Sequence, residues 1–229
     1  MDMYGNKAGS YPQKLLVTAL EIALIIISAM IMFGPWGTTL ADLIGWTQPA
    51  SAPTRRYLIL AFSVIILIRM VFTMFYLMKR NLPWSEAFTV PFAFALYYVG
   101  FAVLVLPATS PLGIIDYLAI ALFLIGCYLN TGSELQRHRF KQLPENKGKL
   151  FTGGLFAWSM HINFFGDLLW VAAYAIITQN IWSALIVLLL LSLFAFFNVP
   201  KLDEYLAERY SDEFPDYAAR TKKLIPLVW

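Results

Sequence analysis

Six stretches of the chain are almost unbroken apolar runs: residues 15–33, 57–78, 88–106, 112–129, 155–177 and 181–199. A helix needs roughly 17 to 25 mostly apolar residues to cross a hydrocarbon core about 30 Å thick, so each run predicts a transmembrane helix. Proline and glycine punctuate the pattern: Gly34-Pro35 after the first run, Pro83 before the third, Pro107 and Pro111 between the third and fourth, and Pro200 after the sixth. Beyond Pro200, Leu202, Leu206 and Tyr210 keep i, i+4 spacing, which predicts a short cytoplasmic amphipathic helix. Phe214, Tyr217 and Trp229 predict that the tail folds back on the bundle, since a disordered tail needs no such residues. No repeat or linker divides the chain, so one all-α polytopic domain over 1–229 is expected. The first run is too long for a signal-peptide core, and no small-residue cleavage site follows it.

Composition agrees with this pattern. Hydrophobic residues make up 59% of the 229, aromatics 16% and charged residues only 14%, whereas soluble domains carry roughly a quarter charged residues. Soluble globules, disordered chains and disulfide-built mini-proteins are thereby excluded. Cys127, His138 and His161 show no metal-ligand spacing, which argues against di-iron, zinc and multi-haem chemistry and predicts no metal site. Neither a GxGxxG nor a Walker loop occurs, so a soluble-type nucleotide fold is excluded. Nothing points to a nucleic-acid partner.

The net charge of +3 is distributed unevenly. With six spans, fourteen Lys and Arg fall on one side: Lys7, Lys14, Lys79, Arg80, Arg137, Arg139, Lys141, Lys147, Lys149, Lys201, Arg209, Arg220, Lys222 and Lys223. Only Arg55 and Arg56 fall opposite, and Arg69 lies inside the second span. Cytoplasmic loops carry the basic excess, so both termini are expected in the cytoplasm, in a setting such as a bacterial inner membrane.

An ionisable group at mid-bilayer costs about 2.5 to 3.5 kcal/mol on insertion scales and is a functional candidate by default. Glu21, Arg69, Asp116 and Asp167 qualify. Asp116, close to Pro111, reads as interfacial, and Glu21 and Arg69 could simply pair between helices. At 100° per residue, Ser159, Asn163, Asp167 and Trp170 share one stripe of the fifth span, beside Gly166, whose missing side chain allows close helix approach. A carboxylate and a carboxamide one turn apart can hold an amide or a sugar hydroxyl; they can equally serve as interhelical glue. His161 points away and reads as a satisfied interhelical histidine. Five basic residues between 137 and 149 could neutralise phosphates, serve as a topology signal, or meet anionic lipid.

Three of these segments resemble the membrane-bound steroid 5α-reductase and sterol reductase superfamily, in particular its bacterial members of unassigned function. Asn163-Phe-Phe-Gly-Asp167 resembles the family's Asn-(Phe/Tyr)-x-Gly-(Glu/Asp) motif, and Gln136-Arg137-His-Arg-Phe140-Lys141 resembles the stretch before that helix. Asp203-Glu204, Arg209-Tyr210-Ser211, Phe214, Tyr217 and the basic, aliphatic, proline ending resemble the family's terminal pattern. The resemblance covers about the last hundred residues and implies a cofactor-binding half over 130–229. It implies NADPH as cofactor, with contacts from Arg69, Gln136, Arg137, Lys141, Asn163, Asp167, Asp203 and Tyr210. It also implies a catalytic acid for which Glu21 and Tyr98, or its neighbour Tyr97, are the candidates. The tyrosine that 5α-reductases place three residues before the arginine is Ile66 here.

The expected activity is NADPH-dependent reduction of a carbon-carbon double bond in a lipophilic, enone-like or sterol-like substrate entering from the lipid. Two alternatives stand beside it. One is a methyltransferase of the isoprenylcysteine or phospholipid type using S-adenosylmethionine, whose Arg-His-Pro-x-Tyr signature is replaced here by Met160-His-Ile-Asn163. The other is a non-catalytic lipid-binding bundle, which has no nucleotide affinity.

Overall fold

The structure is a computed structural model that describes residues 9–47 and 54–229; Lys7 of the basic count lies outside them. Among the described residues it is all-helical, with no strand. Helix α1 runs over Tyr11–Phe33, α2 over Pro35–Ile44, α3 over Thr54–Leu77, α4 over Trp84–Leu104 and α5 over Ile114–Gln142. Then follow α6 at Ile162–Thr178, α7 at Ile181–Arg209 and α8 at Phe214–Arg220. Five of these, α1, α3, α4, α5 and α7, are long and apolar enough to cross a membrane, so the chain is an integral, multi-pass helical bundle.

Three boundaries differ from the expected spans. The fifth span does not start at 155: residues Gly154–Ala157 form a 3-10 turn and α6 begins at Ile162, leaving 17 helical residues. Its length is about 25 Å at a rise of 1.5 Å per residue. The turn is shaped by Gly154 at φ +56, where the Gln136 side chain occupies the space a Cβ would need. The fourth span does not end at 129 but continues as α5 through the basic segment to Gln142. The sixth does not stop at Pro200. A π-helical turn over Phe194–Asn198 carries the chain into Val199–Arg209, and Pro200, which cannot donate to the preceding turn, follows directly on this irregular turn. The amphipathic helix is thus the end of α7.

The chain forms two compact units. The first holds Met1–Ile120 and Ala173–Ile186. Within it α1 is central, packing against α2, α3 and α4. Arg55 and Arg56, expected as loop charges, are buried in the first turn of α3. Arg56 donates to the carbonyls of Met32 (2.6 Å) and Leu106 (3.1 Å). Arg55 donates to those of Ile177, Ser110 and Pro111 and forms an ion pair with Asp116. Carbonyls in the last turn of a helix, such as Met32 and Ile177, have no partner within their own helix and sit at the negative end of its dipole; each guanidinium meets one of these together with carbonyls of the chain around 106–111. Asp116 is therefore a buried structural partner, 2% exposed.

The second unit holds Ala121–Ala172 and Val187–Trp229. Here α5 and α6 touch backbone to backbone. A Cβ on Gly126 would sit 2.6 Å from the Gly166 carbonyl, and one on Gly166 would sit 2.6 Å from the Asn130 nitrogen. The tail does fold back: Phe214 and Tyr217 cluster with Met160, flanked by Leu150, Leu206 and Tyr210. Met160 and His161 donate their backbone N–H to the carbonyls of Lys222 and Lys223. Since the chain returns after α7 to the segment that precedes α6, these two helices form a hairpin. When α7 crosses the membrane, the shorter α6 must cross as well.

Candidate functional site

The expected site residues fall into two groups, one in each unit. In the first unit Glu21 lies halfway along α1 and is fully buried, as is Tyr98. Both carboxylate oxygens of Glu21 and the Tyr98 hydroxyl lack a hydrogen-bond partner among the described residues. The two groups face each other within reach of a side-chain hydrogen bond, but the geometry of a formed bond is not met. Among the described residues Glu21 makes no hydrogen bond to Arg69; Arg69, with Tyr174, is an electrostatic neighbour of Tyr98. Tyr174 donates to the Ser63 hydroxyl at 3.1 Å, since the single Ser63 proton goes to the Ile59 carbonyl at 2.8 Å.

Tyr98 is presented by a π-helical turn, Leu96–Gly100, and Ser28 of α1 donates to its backbone carbonyl. Such turns are rare and frequent at functional sites. Tyr97, the other candidate, is also buried but contacts the Phe94 ring edge-on at 5.4 Å. Of the two tyrosines, Tyr98 has the unused hydroxyl. An orphaned buried polar group costs about 1–3 kcal/mol. Three such atoms on two neighbouring residues make Glu21 and Tyr98 the candidate polar site of this unit.

In the second unit the motif residues are engaged. Asp167 accepts from Asn130 of α5 (2.9 Å) and from the Trp170 indole (2.7 Å) on the same oxygen. Asn163 donates to Glu134 at 3.1 Å, not to Asp167. Ser159 lies before the helix and donates to the carbonyls of Lys223 and Leu224, so the stripe starts at Asn163. Gln136 accepts from the Leu155 N–H at 2.9 Å. Arg137 pairs with Glu134 and lies over the Phe156 ring at 5.6 Å. Lys141 donates to the Tyr210 hydroxyl at 3.0 Å and to the Lys149 carbonyl. His161, fully buried, meets Asp203 at 2.8 Å, and Lys223 approaches the other carboxylate oxygen at 3.3 Å; this histidine is satisfied, as expected.

The electrostatics here are positive. Burial alone would raise the Tyr210 phenol, but the bond and charge of Lys141, then of Arg209, outweigh it and hold the phenol below its usual value. Sequence reasoning missed Asn130 and Glu134 because 130–150 read as a loop. Asn130, Glu134, Arg137 and Lys141 recur at helical spacing, and that was the available signal. Among the described residues no group of three metal-ligating side chains forms.

The profile of a family of proteins of unknown function, DUF1295, matches residues 78–221. A probable O-methyltransferase of Ustilaginoidea virens, ustE, is 35% identical over 91 residues, covering 39% of this chain and 32% of that protein. The chain thus spans about a third of that relative's length. Because the profile covers more than half of the sequence, the chain belongs to the DUF1295 family.

Proposed function

We propose that the protein is an NADPH-dependent membrane reductase of a carbon-carbon double bond conjugated to a carbonyl in a lipophilic substrate. The observation that carries this reading is the buried Glu21–Tyr98 pair with its unused oxygens. NADPH, when bound, supplies a hydride. As negative charge develops on the substrate's carbonyl oxygen, the Tyr98 hydroxyl would donate its proton to it, and Glu21, carrying a proton as the neutral carboxylic acid, would pass that proton to the phenolate and become the carboxylate. Solvent is kept from this exchange because both side chains are fully buried.

The second unit suits the phosphates of the cofactor. Between 134 and 149 five basic residues stand against Glu134 and Glu145. Arg137 and Lys141 are held in place by Glu134, Tyr210 and the Lys149 carbonyl. The depressed Tyr210 phenol reports the same positive field. Asn163, Asp167, Asp203 and Gln136 shape the surrounding backbone and side chains, and the association of DUF1295 with steroid 5α-reductase-like membrane proteins is consistent with this assignment.

The relative named as an O-methyltransferase supports a second reading, methyl transfer from S-adenosylmethionine. A transfer of that kind has use for Glu21 as a base but none for the Tyr98 proton. Turnover of an enone substrate by Tyr98→Phe separates the two: reduction falls by about two to four orders of magnitude, the size of a general-acid contribution, while methyl transfer is unaffected.

A further inference from the structure

We propose that the N-terminal end of α1 and the turn after α3 bind the phosphate of an anionic phospholipid headgroup. Lys14 is 5% exposed. Among the described residues its ammonium has a single hydrogen bond, a long 3.4 Å donation to the Met78 carbonyl, and it lies 5.8 Å from the centre of the Phe75 ring. An ammonium has three N–H groups to satisfy, and burying a charge without a counter-charge is costly. The charged groups that face it, Lys79 and Arg80, are both positive. The carboxylate beside Arg80, Glu86, is bound to that guanidinium at 2.6 and 3.1 Å.

The backbone adds to the positive field. Lys14 sits in the first turns of α1, which has no acidic residue in its first turn to offset the positive end of the helix dipole. Ser10, before that helix, accepts from the Leu82 N–H at 3.1 Å and so fixes the 79–82 turn beside it. An anion with several oxygens would satisfy Lys14 and relieve its repulsion from Lys79 and Arg80 together.

The surroundings identify the carrier. Tyr11, Leu15, Phe75 and Tyr76 are exposed around this end, and Tyr11 and Phe75 stand 6.3 Å apart. Aromatic rings beside the end of a membrane helix mark the headgroup level. There the phosphate of a lipid is at hand and its acyl chains meet an apolar wall, whereas free phosphate gains nothing from that wall.

The test uses the full chain in neutral detergent, stripped of lipid, with thermal unfolding followed as lipid is added. Phosphatidylglycerol should raise the midpoint by several degrees, and neither phosphatidylcholine nor inorganic phosphate at equal concentration should. Lys14→Met should stabilise the lipid-free protein, because it removes the uncompensated charge, and should abolish the phosphatidylglycerol response. The exposed Lys79→Gln should weaken that response without altering lipid-free stability. No response of the wild type, equal responses to both lipids, an equal response to inorganic phosphate, or a response retained by Lys14→Met would overturn the proposal.

Discussion

At the scale of single residues, the contrast between Glu21 with Tyr98 and Asp167 with Asn163 is decisive. All four were legible in the sequence as polar groups in apolar runs, but their partners were not, because hydrogen bonding depends on which helix lies opposite. The Glu21 carboxyl and the Tyr98 hydroxyl meet the geometry of no hydrogen bond among the described residues. Glu21→Gln and Tyr98→Phe should therefore leave apo stability unchanged or improved while removing turnover; loss of the fold in either variant would contradict their assignment. Asp167 is tied by two donors. Asp167→Ala should remove one acceptor from the Asn130 amide and one from the Trp170 indole, at about 1–3 kcal/mol each, read as a lower denaturant midpoint. Asp167→Asn keeps an acceptor oxygen and should cost far less. Equal losses in the two variants would show that the negative charge, not the acceptor, is what the helix pair needs.

At the scale of elements, apolar length located every membrane helix, while the ends escaped it. Helix α5 continues through 130–142 because those residues are polar but not helix-breaking, and α7 passes Pro200 because a π-helical turn stands directly before it; polarity and proline were read as loop. Gly166 was legible as a point of close approach; its counterpart Gly126 was not, since register between helices is invisible in one sequence. Gly166→Ala drives a Cβ into backbone atoms at 2.6 and 2.7 Å. Overpacking of this kind costs about 1–3 kcal/mol and should also separate Asn130 from Asp167. An unaltered midpoint for Gly166→Ala would show that the two helices are not in backbone contact. The Arg55–Asp116 pair is a second element-level device. Asp116→Asn should destabilise by about 3–5 kcal/mol, as breaking a buried pair does. An Arg55→Met, Asp116→Leu double variant should not recover it, because Arg55 also satisfies the Ile177, Ser110 and Pro111 carbonyls.

At the scale of the whole molecule, burial of Arg55 and Arg56 leaves the side opposite the basic loops without a free cation from either residue. The α6–α7 hairpin returns the tail to the segment before α6. Reporter fusions after Lys149 and after Trp229 should both report cytoplasm and one within 107–111 the far side; opposite signals from Lys149 and Trp229 would mean that only one of α6 and α7 crosses. Burial raises the Tyr217 phenol, whose hydroxyl donates to the Phe156 carbonyl at 2.7 Å. A raised folded value keeps its stabilisation below the unfolded value of about 10 and loses it as pH rises through the folded one. Limited proteolysis should accordingly begin to release the tail only above about pH 10, and release at neutral pH would show that the tail is not docked through Tyr217. The reductase reading itself is tested most directly by titrating the detergent-purified chain with NADPH, NADH and S-adenosylmethionine while following thermal unfolding. NADPH should stabilise by about 2.7 kcal/mol at a hundred times its dissociation constant, and Arg137→Gln with Lys141→Gln should reduce that gain and its salt dependence. Stabilisation by S-adenosylmethionine with no response to NADPH would contradict the account.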